Sequence, residues 1–349
     1  MTGVQAACDI PIPSSQYIFN VPSWQAQNFS CTGPPEVFAI RPSPGKGLGA
    51  FVTRSLEPGT LIMQEAPLIK VYPPEIRDGV GYPLDTIQRL VREAFEALSE
   101  DGKAEILALS AHIFPHETTA ADYDPLLPIF RSNSFNTGDF FGLFPKVARI
   151  NHSCRPNTAY YWNERLRKRV VYATRRVEEG EELSLSYIPL LHTKADRELR
   201  LNQYGFKCTC EVCSAAANDI MVSDQRREQI RRAIYDLESE LTVEVPADKA
   251  TRRKAQKQAE ESLKLLRLVE EEELAVYYAQ VYRIAALSHA RLEKWEPATI
   301  WAHKSYQLRQ MADEQSQETI EMKILTSRFI ESWNEDLRNK SMKSGRPRN

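Results

Sequence analysis

The chain has 349 residues, 42% hydrophobic and 26% charged, with a formal net charge of −2. That length accommodates about two domains of ordinary size, and the composition is that of a folded protein, not a fibrous or disordered one. No apolar run approaches the roughly 18 residues of a membrane span, and the nearly balanced charge gives no strong nucleic-acid footprint.

Residues 1–20 lack a basic n-region and an apolar h-region, so no secretory signal is expected. The expected location is the nucleus, the cytoplasm or both, where thiols stay reduced. Residues 1–34 are rich in Pro, Ser and Gln and are expected to be flexible, with Cys8 and Cys31 as free thiols. From Val37 the texture changes to short β-type runs: Val37-Phe38-Ala39-Ile40, Ala50-Phe51-Val52-Thr53, Leu61-Ile62-Met63 and Leu68-Ile69-Lys70-Val71. Pro-Gly turns punctuate them, and the turn through Arg54, Glu57 and Gly59 echoes the one through Arg176, Glu179 and Gly180.

Residues 83–112 switch to helical spacing, with Ile87, Leu90, Val91, Ala94, Phe95 and Leu98 on one face. Asp85, followed by Gln88, is the expected N-cap. Strands return at Thr158-Ala159-Tyr160-Tyr161-Trp162 and Val170-Val171-Tyr172-Ala173. After Cys213 the pattern is helical. One stripe is Ile230, Ile234, Leu237 and Leu241; another is Leu274, Tyr277, Val281, Ile284 and Leu287; a helix opens at Glu296-Pro297 and runs to Met311. Small residues at Ala298 and Ala302 fit a tetratricopeptide-like helix pair, although the full repeat signature is missing. The runs Arg252-Arg253-Lys254 and 270–273 are expected on solvated helix faces, and the basic residues from Lys340 to Arg348 in a solvated tail.

The cysteines carry the strongest chemical signal. Cys208, Cys210 and Cys213 form a Cys-x-Cys-x-x-Cys run, which is three thiolates where tetrahedral zinc takes four. Cys154 is the nearest candidate for the fourth. In a reducing compartment such a cluster favours metal over disulfides.

Three segments together resemble SET-domain protein-lysine methyltransferases. They are Asn151-His152-Ser153-Cys154-Arg155-Pro156-Asn157, then Glu182-Leu183-Ser184-Leu185-Ser186-Tyr187, then Tyr204-Gly205-Phe206 leading into the cysteine run. The layout is similar to the SET-and-MYND (SMYD-type) group. Residues 41–153 contain no cysteine, so the MYND finger of that group is expected to be absent.

The resemblance implies an α+β fold: a SET domain of several small β-sheets at 35–190 with a helical insert at about 73–130, a zinc-bound post-SET segment at 191–214, and an α-helical C-terminal domain at 215–349. It implies transfer of a methyl group from S-adenosylmethionine to a lysine ε-amine of a histone or other protein. Tyr187 matches the active-site tyrosine; Lys46, Gly47 and Leu48 the N-terminal cofactor loop; Asn151 and His152, with Tyr187, cofactor-contacting residues. Phe206 matches the residue packed on the adenine ring, and Phe135, Tyr187 and Tyr204 the walls of the substrate lysine channel. The cofactors implied are S-adenosylmethionine and Zn2+, the latter held by Cys154, Cys208, Cys210 and Cys213. The partner is a protein substrate; nothing in the sequence fixes an oligomeric state. The competing readings are an inactive SET scaffold serving as a protein-interaction module and a nucleic-acid-binding zinc protein, the latter lacking a basic face.

Overall fold

The computed structural model describes residues 35–76, 82–115, 117 and 123–344. The flexible-segment expectation for 1–34, the thiols Cys8 and Cys31, and the end of the basic tail lie outside the described residues. Four small sheets form the first part. Strands β1 (Phe38–Ser43) and β2 (Gly47–Val52) make an antiparallel hairpin. Its turn at Gly45-Lys46 has positive φ at Gly45 and Gly47, conformations that favour glycine. Strands β3 (Leu61–Glu65), β8 (Thr158–Asn163) and β9 (Lys168–Ala173) form a sheet with β9 in the centre. A third sheet has the order β4 (Ile69–Val71), β6 (Phe141–Leu143), β5 (Ser134–Asn136).

The fourth sheet brings the two motifs together. β7 (Asn151–His152) and β10 (Ser184–Leu185) pair in parallel, Asn151 opposite Ser184 and His152 opposite Leu185. Such short strands show no periodicity of their own. Side chains hold the β10 backbone: Asn157 Nδ2 donates to the Glu182 carbonyl, its Oδ1 accepts from Ser184 N, and the Thr158 hydroxyl donates to the Ser184 carbonyl. The two similar turns also meet, with Leu56 and Val177 exchanging backbone hydrogen bonds at 2.8 and 2.9 Å. Val52, Leu56, Ile62, Ile150, Val171 and Leu183 form the core beneath these sheets.

Between β4 and β5 lie α1 (Leu84–Glu96), α2 (Glu100–Leu107) and α3 (Leu126–Asn133). Ile87, Val91 and Phe95 of α1 are buried against β4 and α3, as their spacing predicts. The cap differs from expectation. Pro83 is the N-cap, without a side-chain hydrogen bond, and Asp85 stands in the first turn, where a carboxylate complements the positive end of the helix. The helical region is also broken at Ser99, whose hydroxyl caps α2 by accepting from Gly102 N.

From α4 (Lys194–Leu201) onward the described chain is helical, continuing through α5 (Glu211–Ser214), α6 (Ala217–Glu238), α7 (Lys249–Glu271), α8 (Tyr278–Ala290), α9 (Trp295–Asp313) and α10 (Gln317–Ser344). Ile230, Ile234 and Leu237 of α6 are buried, and Ala298 and Ala302 let α9 pack closely on its neighbours. One core cluster spans the boundary. Cys154, Ile188, Leu190, Leu201 and Val212 pack with Ile230, Leu265 and Val281. The expectation of a solvated face at 270–273 fails at one residue: Glu272 is 1% exposed and pairs with the fully buried Arg227 at 3.0 Å. Charge patterning cannot reveal this, because the partner lies 45 residues away. Among the described residues, no helix is long and apolar enough to cross a membrane.

Candidate active site

The β1–β2 hairpin, the insert, the Asn151-His152 strand, Tyr187 and the segment 204–209 enclose a cavity of about 320 Å³, within the range of small-molecule and cofactor sites. Lys46, Gly47, Leu48, Asn151, His152, Tyr187, Tyr204 and Phe206 all line it. A carboxylate organises its polar rim. Glu182 accepts from Lys46 Nζ at 2.9 Å and from Asn151 Nδ2 at 2.7 Å, while Asn151 Nδ2 also reaches the Leu48 carbonyl at 3.1 Å. Desolvation opposes ionisation of Glu182, but hydrogen bonds from Asn151 and Lys46 win and hold its carboxyl below the usual range. Gly49 leaves room for this group: a Cβ there would strike the Glu182 carboxylate and crowd Asn151, so a side chain would displace the network.

His152 is 3% exposed. Its Nδ1 accepts from Tyr187 N at 3.1 Å, which leaves the proton on Nε2, 3.4 Å from Cys154 Sγ. Burial pushes the ring down to about 4, so it is neutral at ordinary pH. The Tyr187 hydroxyl donates to the Ile150 carbonyl at 2.8 Å. Burial first, then Tyr204 and Glu182, push that phenol well above its usual range, so it stays protonated.

Tyr187 also lines a second cavity, with Pro156, Tyr160, Tyr172, Ile188 and Tyr277 among the other walls. Among the described residues it is the one side chain common to both cavities. Tyr204 stands against it, ring centroids 5.1 Å apart, and Phe206 meets it edge-on at 6.3 Å. Phe135 lines neither cavity; it packs edge-on against Tyr160 at 5.3 Å and Phe144 at 5.9 Å. Sequence reading missed Glu182 as an organiser, Tyr160 as a wall, and the insert residues Ser110, His112 and Asn133. Gly205, at φ 72°, lets the insert approach: a Cβ there would collide with the His112 ring.

The sulfurs of Cys154, Cys208, Cys210 and Cys213 all lie within 4.8 Å of one another, and Cys154 and Cys213 are 3.6 Å apart. That is far beyond a disulfide bond and close to the roughly 3.8 Å edge of a tetrahedron with Zn–S bonds of about 2.3 Å. Hydrogen bonds from its neighbours hold Cys210 well down, and those between siblings hold Cys154 up. A cation lets all four ionise together. The His152 Nε2–H aimed at Cys154 and the buried Arg197, 3.9 Å from Cys213 Sγ, both favour thiolates. The donor set fits zinc.

Residues 47–188 match the SET domain family, and the chain is similar to members of the SET5 and SMYD groups. It is 34% identical to histone-lysine N-methyltransferase set5 of Schizosaccharomyces pombe over 204 residues, 58% of this chain and 57% of that relative. It is 37% identical to histone-lysine N-methyltransferase SMYD3 of Homo sapiens over 79 residues, 22% of this chain and 18% of the relative. With N-lysine methyltransferase SMYD2 of Bos taurus the figure is 33% over 127 residues, 34% and 29% of the two chains. The chain therefore matches little more than half of the first of these relatives and under a third of the other two.

Proposed function

We propose that this protein is an S-adenosylmethionine-dependent protein-lysine N-methyltransferase that carries a structural zinc ion. The observation that supports it best is the position of Tyr187 as the shared wall of two cavities, one polar at its rim and one lined by aromatic rings. When bound, S-adenosylmethionine supplies an electrophilic methyl group. Lys46, Gly47, Leu48, Asn151, His152 and Phe206 are the residues that would hold it. The Asn151–Glu182–Lys46 network fixes the hairpin against the motif strand, and neutral His152 fixes the Tyr187 backbone.

The acceptor lysine enters from the second cavity. A free lysine titrates near ~10.4, so neutralising it at pH 7 costs about 4–5 kcal/mol. Desolvation by Tyr160, Tyr187 and Tyr204 lowers that cost, and the Tyr187 hydroxyl orients the amine. The acceptor is a histone or another protein lysine, reached in the nucleus or cytoplasm; histone is the substrate class named for set5 and SMYD3.

The test is transfer of isotope-labelled methyl from S-adenosylmethionine into purified core histones and whole-cell protein, with the modified residues mapped by mass spectrometry. Tyr187→Phe is expected to reduce single-turnover transfer at least about ten-fold, 1.4 kcal/mol of barrier. It also leaves the Ile150 carbonyl without its donor, a loss of about 1 kcal/mol in stability. Undiminished transfer by Tyr187→Phe removes the tyrosine from the chemistry; absence of cofactor binding by the unaltered chain favours a scaffold.

A further inference from the structure

Arg169 is a buried cation that nothing in the preceding account uses. It lies on β9 and is 2% exposed. Its guanidinium carbon stands over three rings, 5.0 Å from the centroid of Tyr160, 5.1 Å from Phe144 and 5.4 Å from Phe135. One Nη donates to the Asn136 carbonyl at 3.0 Å, and Nε has no hydrogen-bond partner. Among the described residues no carboxylate pairs with it. Glu65, opposite in the strand register, gives both oxygens to the backbone N–H groups of Lys146 and Val147 instead.

A buried guanidinium without an anion is destabilising, and a Met or Leu of similar volume avoids that desolvation. Cation–π contact with three rings offsets part of the loss. What the charge does is set by its neighbours. Tyr160 turns one face to Arg169 and lines the second cavity beside Tyr187. Phe135 holds the Tyr160 ring from another side. The cation thus sits one ring behind the wall past which an acceptor amine must travel.

We propose that Arg169 is a positioning residue of the acceptor-lysine channel, a fixed positive charge behind Tyr160 and Phe135 that disfavours the ammonium form of the incoming lysine. The inference rests on the methyltransferase reading. Burial pushes Arg169 down to about 10, so it remains charged at neutral pH. The titratable groups facing it are Tyr160 from β8 and Glu65 from β3, while β5 and Phe144 present uncharged groups. On the channel side stand Tyr187 and Tyr204, both held protonated by burial. The Arg169 charge is therefore the fixed one nearest the Tyr160 wall.

The test is the pH profile of kcat, at saturating substrate, for methyl transfer from labelled S-adenosylmethionine into purified core histones, from about pH 6.5 to about 9.5. In R169M the rising limb is expected to move about one pH unit higher, so activity falls about ten-fold near pH 7 and recovers at the alkaline end. R169K, which keeps the charge, is expected to keep the midpoint while losing some rate. A purely structural role lowers the whole curve without moving it, and that result overturns the inference. If R169M does not fold, R169Q reads the same loss of charge; failure of both to fold assigns Arg169 to the core and also overturns it. No transfer by the unaltered protein, by contrast, removes the methyltransferase reading itself, and this inference falls with it.

Discussion

Two titratable side chains, Glu65 partly buried and His152 fully so, hold the backbone of the candidate site, and their contributions to stability respond oppositely to pH. Glu65 accepts from Lys146 N and Val147 N at 2.9 and 2.8 Å, capping the 3-10 turn Val147–Arg149 that leads into Asn151. Burial nevertheless raises its pKa from 4.5 to about 7. An acid whose folded pKa is raised binds more protons folded than unfolded, so its contribution to stability falls as pH rises from 4.5 to about 7. His152, held down at about 4, contributes in the opposite sense: stability is lost as pH falls from 6.5 toward 4. The two terms overlap and partly hide each other in the unaltered protein. Comparison with Glu65→Gln separates them. The stability of the unaltered protein relative to this variant is expected to drop by about 2–3 kcal/mol between about pH 4 and about pH 8. Urea unfolding midpoints measured across that range decide it, and a constant difference rejects the raised pKa.

At the scale of elements, α6 and the end of α7 are joined to the motif strand by a buried polar hub. Arg227 of α6 donates to Glu272 at 3.0 Å, to the Leu190 carbonyl at 2.9 Å and to the carbonyl of Cys154 at 3.1 Å. The Ser223 hydroxyl adds a bond to the same carboxylate at 2.8 Å. Arg155, next to Cys154 in sequence, donates to the Glu272 carbonyl. Arg227→Met removes the nearest cation from Glu272, leaving it Arg226 at 3.7 Å and the Ser223 hydroxyl, and is expected to lower stability by about 3 kcal/mol. The double variant with Glu272→Leu is expected to recover much of that loss, since both partners are then apolar. Denaturant melts of the two variants read this directly. Equal destabilisation in both shows that the carbonyl contacts, not the ion pair, are what Arg227 contributes.

At the scale of the molecule, the cysteine cluster is the point where the motif strand, the segment 204–213 and the helices converge. Its sulfurs belong to the same core cluster as Leu201 of α4 and Ile230 of α6, and Tyr187, Tyr204 and Phe206 pack against that cluster. We expect one zinc ion per chain. Because the thiolates must be deprotonated to bind, metal affinity is coupled to the order of the segment that carries them. Chelation should therefore release Tyr204 and Phe206 and weaken S-adenosylmethionine binding before the sheets melt, with Cys208→Ser giving the same phenotype. Metal content by elemental analysis, followed in parallel with cofactor affinity by calorimetry, tests the coupling. A metal-free preparation with full cofactor affinity breaks it. The core shared across residues 154–285 also means that removing the helices exposes Ile188, Leu190 and Val212. Such a truncation is expected to lose the metal along with its solubility.

Local pattern was enough for much of this. Runs of β-branched and aromatic residues marked β8 and β9, the i, i+3, i+4 stripe marked the buried face of α1, and the cysteine spacing pointed to a thiol site. These features depend on neighbours a few residues apart, or on residue types with few alternative uses. The three motif segments and the hairpin turn likewise pointed to the SET domain and to eight of the 19 residues that line the first cavity. What sequence left open is non-local. The strands β7 and β10 are two residues each, joined past their ends by Ser153 N to the Leu185 carbonyl and Tyr187 N to His152, with Asn157 and Thr158 holding the β10 backbone. Phe135 was read as a channel wall, yet Tyr160 stands between it and the second cavity. Arg169 and Glu272 looked like ordinary polar residues of a strand and a helix end. Only tertiary packing put one behind an aromatic wall and the other against Arg227, because burial of a charge is decided by residues far away in the chain.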